Sequence, residues 1–226
     1  SNVARPGVSP SVWPAPRRIE RDGANHTSPW RAAELSPTNF RFVPRFEAEA
    51  LASTPALRAV LRRAHERYCR LIFGDRAANS AAPSPDTVAG TAQLNTLDVV
   101  INATTALWPR LDTDESYSLE IGNGGGDATG SVVRATLRAR SVYGALRGLE
   151  TFAQLVAERD QWVDRTARAK RRAIQRRWSV AGPFTLIVDD APRWPWRGVL
   201  IDTARHFLPL GAILPMLDAM AYNKLN

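Results

Sequence analysis

The chain is 226 residues long, 44% apolar and 8% aromatic, enough to bury a core in one or two domains. Its formal charge of +8 is carried by 28 Arg and only 2 Lys, and its longest apolar runs fall far short of the ~20 residues that cross a bilayer, which excludes a helical membrane span. A single cysteine, Cys69, excludes an intrachain disulfide.

Residues 1–35 are rich in Pro, Arg and Trp without periodicity, which predicts an extended arm lying on a domain surface. No secretory apolar core and no initiator Met are visible, so the true N-terminus, with any targeting signal, is expected to be missing. "NFRFVPRF" (39–46) alternates as a strand. Thr54 and Pro55 then open a helix with Leu57, Val60, Leu61, Ala64, Tyr68 and Leu71 on one face, stopping at Gly74. The Ala/Ser/Pro/Gly-rich segment 75–90 predicts a mobile loop.

Three strand-like segments follow, 94–102, 116–121 and 131–140, the last two joined by "GNGGGD"; they suggest an antiparallel meander. Ser141 caps a second helix whose apolar face is Val142, Ala145, Leu146, Leu149, Phe152, Ala153 and Val156. "FTLIVDD" (184–190) is a further strand. The order is that of an α+β domain, an antiparallel sheet with two helices on one face. The closing unit differs in kind: "RGVLID" is a continuously apolar strand of the parallel-sheet type, and the helix after Pro209 aligns Ile213, Leu217, Met220 and Ala221. Together they form one β-α step of a barrel or doubly wound fold. Pro215 inside that helix is costly outside the first turn.

"GNGGGD" lies between strands, which favours a hairpin turn over a phosphate cradle. Asp114–Glu115 and Asp189–Asp190 are paired acids, but adjacent strand residues point to opposite faces, against a catalytic pair. His26, His65 and His206 lack metal-ligand spacing, so no metal is expected. Residues 165–177 hold seven basic and no acidic side chains. Without interleaved aromatics they read as a solvated loop, helix face or insertion rather than a nucleic-acid site. Asp202, Arg205 and His206 directly follow "GVLI", where barrel enzymes place their active sites. Arg205 suits vicinal hydroxyls or a carboxylate, and an Asp202–Arg205 ion pair that only stabilises the loop is the alternative.

"PRWPWRGVLIDTARHFLPL" (192–210) and "KLN" (224–226) resemble the start of the catalytic barrel of family 20 glycoside hydrolases, the β-N-acetylhexosaminidases. "DESYSLEI" (114–121) with "SVYGALRGLETFAQLV" (141–156) is similar to that family's accessory domain, and "SVWPAPRR" (11–18) with "HERYCRLIFG" (65–74) to its arm and first helix. The resemblance implies an arm (1–35), an α+β accessory domain (36–190) and the first β-α unit of a (β/α)8 TIM barrel (191–226), cut short. It implies a retaining, substrate-assisted hydrolase of terminal N-acetylhexosamine, with Arg205 binding the sugar and Asp202 supporting its loop.

The family's catalytic Asp-Glu pair is not matched in this chain, and Asp114–Glu115 is a decoy in the accessory domain. The chain alone is therefore expected to be inactive. No cofactor is implied. The partners are a glycan or glycoconjugate and, for the complete enzyme, a second copy as homodimer; no nucleic acid is expected. The compartment implied is lysosomal or extracellular. A binding module derived from the family, without hydrolysis, is the alternative. The link 158–182 is longer and more basic than the family's usual hairpin.

Overall fold

The computed structural model describes residues 12–22, 32–47, 54–74, 91–102, 108–123, 132–164, 172–181 and 185–226. Among these, nine strands form one mixed sheet. They are β1 (Arg18–Asp22), β2 (Ala32–Leu35), β3 (Arg41–Phe46), β4 (Thr91–Ile101), β5 (Tyr117–Asn123), β6 (Val132–Ala139), β7 (Ala157–Asp164), β8 (Arg172–Ala181) and β9 (Thr185–Asp190). Their order is β1-β9-β5-β6-β4-β2-β8-β7, with β3 also paired to β4. The helices are α1 (Pro55–Phe73), α2 (Val142–Leu155) and α3 (Leu210–Tyr222).

The sheet is not the antiparallel one the sequence suggested. β5 and β6 do pair antiparallel across the glycine-rich turn, most of which lies outside the described residues. β4, however, runs parallel to β2, β3 and β6. β6 lies between β5 and β4, and the parallel pair β4–β6 is bridged by residues 102–131, β5 included, well over the roughly twelve residues such a connection needs. β4 also shifts register between Leu94 and Leu97, which explains why its buried residues Leu94, Leu97, Val99 and Ile101 break strict alternation.

The opening segment is more than a surface arm. It supplies β1 at one edge of the sheet, against β9, and β2 between β4 and β8. The basic stretch likewise belongs partly to β8, a strand and not a loop or helix face. Its register sets Arg172 opposite Asp164 and Arg176 opposite Asp160. Residues 165–171, and the predicted loop 75–90, lie outside the described residues.

Helices α1 and α2 pack on the sheet and on each other. In α1, Leu57, Leu61, Ala64, Tyr68, Ile72 and Phe73 are buried. Leu71, predicted inward, is exposed, since the helical repeat brings Ile72 under Tyr68. Gly74 closes the helix at φ +69°, donating its N–H to the Arg70 carbonyl. Ser141 caps α2 by accepting from Gly144 N at 2.9 Å. Gly144 and Gly148 let α2 approach the sheet closely: a Cβ at 144 would sit 2.5 Å from the Ser116 carbonyl oxygen. Between the layers Phe40 stacks on Phe152 with centroids 5.7 Å apart, and Phe73 meets Trp178 edge-on. Burying one such ring contributes about 1.5–3 kcal/mol.

Residues 191–209 run irregularly into α3. The predicted strand at "GVLI" is not formed, and Leu200 is 92% exposed. A parallel-type strand takes its hydrogen bonds from neighbours, and among the described residues none flanks it. α3 forms as predicted, through Pro215, but buries none of its residues.

Candidate functional site

The loop singled out in the sequence is an exposed turn. Asp202 Oδ1 accepts from the backbone N–H groups of Ala204 at 2.9 Å and Arg205 at 3.1 Å, a local side-chain turn that Asp favours. Its other oxygen pairs with the Arg205 guanidinium at 3.1 Å. Arg205 remains 87% exposed along its side chain, with most of its donors directed to solvent, and His206 is exposed beside it.

The strongest polar geometry lies where residues 191–226 meet the sheet. Glu115 is buried, and its Oε2 accepts from Arg147 Nε on α2 and from Arg197, each at 2.6 Å. Arg197 also donates to the carbonyls of Trp194 at 2.6 Å and Lys224 at 2.9 Å. Asn226 closes the ring: its Oδ1 accepts from Arg197 N at 2.9 Å, and its Nδ2 donates to the Pro195 carbonyl at 2.8 Å.

Lys224 enters the sheet layer itself. At φ +55° its backbone turns so that Nζ donates to Tyr117 Oη and Thr151 Oγ1, both at 2.8 Å, and to Asp190 Oδ2 at 3.1 Å. Asn223 receives the Trp13 indole N–H at 2.9 Å, and Asp218 the Arg67 guanidinium at 2.8 Å. These contacts make a seam that ties the tail to the arm, the sheet and both packed helices.

Burial pushes the Glu115 carboxyl up, but the hydrogen bonds and charges of Arg197 and Arg147 together leave it below the usual value. Burial pulls Lys224 down against the opposing attraction of Asp190. Burial also pushes up the Glu150 carboxyl, whose Oε2 is buried without a hydrogen-bond partner. The two acid pairs diverge in role. Asp114 accepts from Ser116 near the surface while Glu115 turns inward, and Asp189 pairs with exposed Arg18 while Asp190 holds Lys224. None forms the facing carboxylates of a hydrolytic pair. No group of three or more His, Cys, Asp or Glu is placed to hold a metal among the described residues.

Asp202 and Arg205 are thus brought together, but the bonds of Asp202 run to Ala204 and Arg205 and not to the seam. The seam residues Glu115, Lys224, Arg197 and Asn226 were not singled out from the sequence as a site. Two signals pointed to them: Lys224 is one of only two lysines, and it lies within the "KLN" that carried the resemblance.

Residues 12–155 match the family described as "beta-acetyl hexosaminidase like", and residues 194–226 match "Glycosyl hydrolase family 20, catalytic domain". Among curated proteins, the chain is 34% identical over 223 residues to the mouse (Mus musculus) beta-hexosaminidase subunit alpha, covering 97% of this chain and 34% of that protein. It is 34% identical over 229 residues to the rat (Rattus norvegicus) subunit beta, covering 99% and 35%. The chain therefore spans about a third of the length of these relatives. Among solved structures, a chitobiase from Flavobacterium johnsoniae aligns at TM-score 0.52 and 22% identity, over 93% of this chain and 25% of that one. A β-N-acetylhexosaminidase from Streptomyces coelicolor aligns at TM-score 0.53 and 18% identity, over 99% and 35%. At such identities the two structures speak for the fold alone. With a family match over well more than half its length, and in the same order as the two regions joined by the seam, the chain belongs to the β-acetylhexosaminidase-like proteins of glycoside hydrolase family 20.

Proposed function

We propose that the chain is the front part of a β-N-acetylhexosaminidase that removes terminal non-reducing N-acetyl-D-hexosamine from glycoconjugates. In this reading residues 36–190 are the accessory domain and residues 191–226 open a (β/α)8 barrel, whose remaining strands would flank "GVLI" and cover α3. The observation that carries the reading is the succession of the two family matches along the chain, 12–155 and then 194–226. The exposed Leu200, Phe207, Leu210 and Leu217 support it, since an apolar surface of this kind calls for a covering layer.

Arg205 is the substrate-contacting residue in this proposal. One of its nitrogens is held by Asp202, which fixes the direction of the guanidinium, and the rest are free to donate to sugar hydroxyls. The acid that protonates the leaving oxygen, and the aspartate that orients the substrate's acetamido group as nucleophile, belong to the part of the barrel that would follow Asn226. Glu115 is unsuited to the acid's task, being buried and held ionised by two guanidiniums. The chemistry needs no cofactor. The complete enzyme is proposed to act in the lysosome or outside the cell, as a homodimer.

Continuing the reading frame beyond Asn226 and assaying the product on a chromogenic N-acetylglucosaminide tests the proposal. A downstream barrel with an adjacent Asp-Glu pair and turnover is the expected result. An immediate stop codon, with binding of glycans but no turnover by the natural product, would instead make it a non-catalytic module.

A further inference from the structure

A cleft of about 410 Å³ lies between the arm and the tail, and its charge is out of balance. Five cationic side chains line it, Arg17, Arg147, Arg193, Arg197 and Lys224, against the carboxylates of Glu115 and Asp190. The inner three cations consume both acids: Arg147 and Arg197 share Glu115, and Lys224 takes Asp190. Arg17 and Arg193, at the mouth, pair with no carboxylate among the described residues.

Both outer guanidiniums are nonetheless held in place. Arg17 donates to the Pro192 carbonyl at 3.2 Å, and Arg193 lies over the Trp194 ring, 5.3 Å from its centroid. Each keeps further N–H groups unused. Charges in a cleft with low-dielectric walls act over longer distances than on an open surface, so the surplus concentrates on the interior.

We infer that this cleft binds a phosphate- or sulfate-type oxyanion, free or esterified to a saccharide, with Arg17 and Arg193 as its principal donors. Guanidinium forks match the paired oxygens of such groups, which a neutral sugar does not offer. The volume admits an anion together with a ring-sized substituent, and Trp194 lies alongside. Because the arm, the sheet and the tail all line the cleft, an occupant favours the docked tail by mass action. The inference rests on no part of the hydrolytic reading.

The test is calorimetric titration of the 226-residue chain, at fixed ionic strength, with inorganic phosphate, glucose 6-phosphate and glucose. Saturable binding of the two phosphates and none of glucose is expected. The double variant Arg17→Gln/Arg193→Gln should weaken binding about tenfold or more, while Arg58→Gln/Arg63→Gln, an equal loss of charge at exposed positions of α1, should leave it unchanged. If the first double variant fails to fold, Arg193→Gln alone should still weaken binding. Equal affinity for the two phosphates would assign the cleft to the free anion, and tighter glucose 6-phosphate to a saccharide ester. Absence of saturable binding, or equal weakening in the α1 control, overturns the inference.

Discussion

Arg197 and Glu115 meet at 2.6 Å across the junction of tail and sheet, and both side chains are largely removed from water, at 14% and 8% exposure. Glu115 also holds Arg147, so it is the shared counterion of two buried guanidiniums. Deleting either member of a buried pair leaves a desolvated charge and typically costs ~3–5 kcal/mol. Glu115→Ala, which strands two cations, should fall in that range. Arg197→Ala, which leaves Glu115 its Arg147, should cost less than Glu115→Ala. Urea denaturation of the two variants checks the order, and a larger loss for Arg197→Ala would contradict the shared-counterion arrangement.

The same carboxylate sets an acid limit. Its folded pKa lies below the ordinary value of 4.5, so the folded chain binds fewer protons there than the unfolded one. Its contribution is complete above pH 4.5 and is lost as pH falls through the depressed folded value. Glu115→Gln, less stable at neutral pH, should therefore show a shallower decline of Tm below pH 4.5 than the parent. Parallel declines would mean that other carboxylates govern acid unfolding.

Glu150 has the opposite sign. Burial raises its pKa, so its contribution is fully present below pH 4.5 and is lost as pH rises through the raised folded value. With Oε2 buried and without a hydrogen-bond partner, the charged form of the side chain is disfavoured. Glu150→Gln should raise stability at neutral pH by about 1 kcal/mol. The gain should shrink below pH 4.5. Thermal melts at two pH values suffice, and a neutral-pH loss would show that attraction to Lys224 and Arg67 outweighs burial.

Both packed helices were legible because their signals are local: a Ser or Thr-Pro start, apolar residues at helical spacing, a closing glycine. β3 could likewise be read from alternation, and β5, β6 and β9 as strand-like segments. The parallel pairing of β4 could not, since nothing within β4 encodes which strand a distant crossover sets beside it. β1 has one apolar residue in five, β2 is only four residues long and β8 lies largely in the basic stretch, so none announced itself, and each is paired with a neighbour in the sheet. "GVLI" failed in the reverse sense, having strand composition without the neighbours that make a strand. At the site, Asp202 and Arg205 were legible from their place after that run. Glu115 and Lys224 were not, because their partners stand 82 and 107 residues away and only folding joins them.

Activity should be absent from residues 1–226 alone. A (β/α)8 barrel typically needs ~250 residues, and both acids of the proposed mechanism lie in it. The four carboxylates of the two acid pairs already have partners in Arg140, Arg147, Arg197, Lys224 and Arg18. The purified chain should release no chromophore from an N-acetylglucosaminide above a blank from the same preparation. Turnover above that blank would require a catalytic pair among these residues.

Arg205 separates substrate binding from loop stability in the completed enzyme. Its pair with Asp202 is exposed, and such pairs are worth about 0–1 kcal/mol, so Arg205→Lys should hardly move Tm. A charged donor to buried sugar hydroxyls contributes roughly 1.5–3 kcal/mol. Lysine keeps the charge but loses the planar fork, and kcat/KM should fall about 10- to 150-fold. Measured together, the two quantities discriminate. Unchanged kcat/KM would reduce Arg205 to the partner of Asp202, whereas a collapse of Tm would show that the loop depends on that pair once the barrel surrounds it.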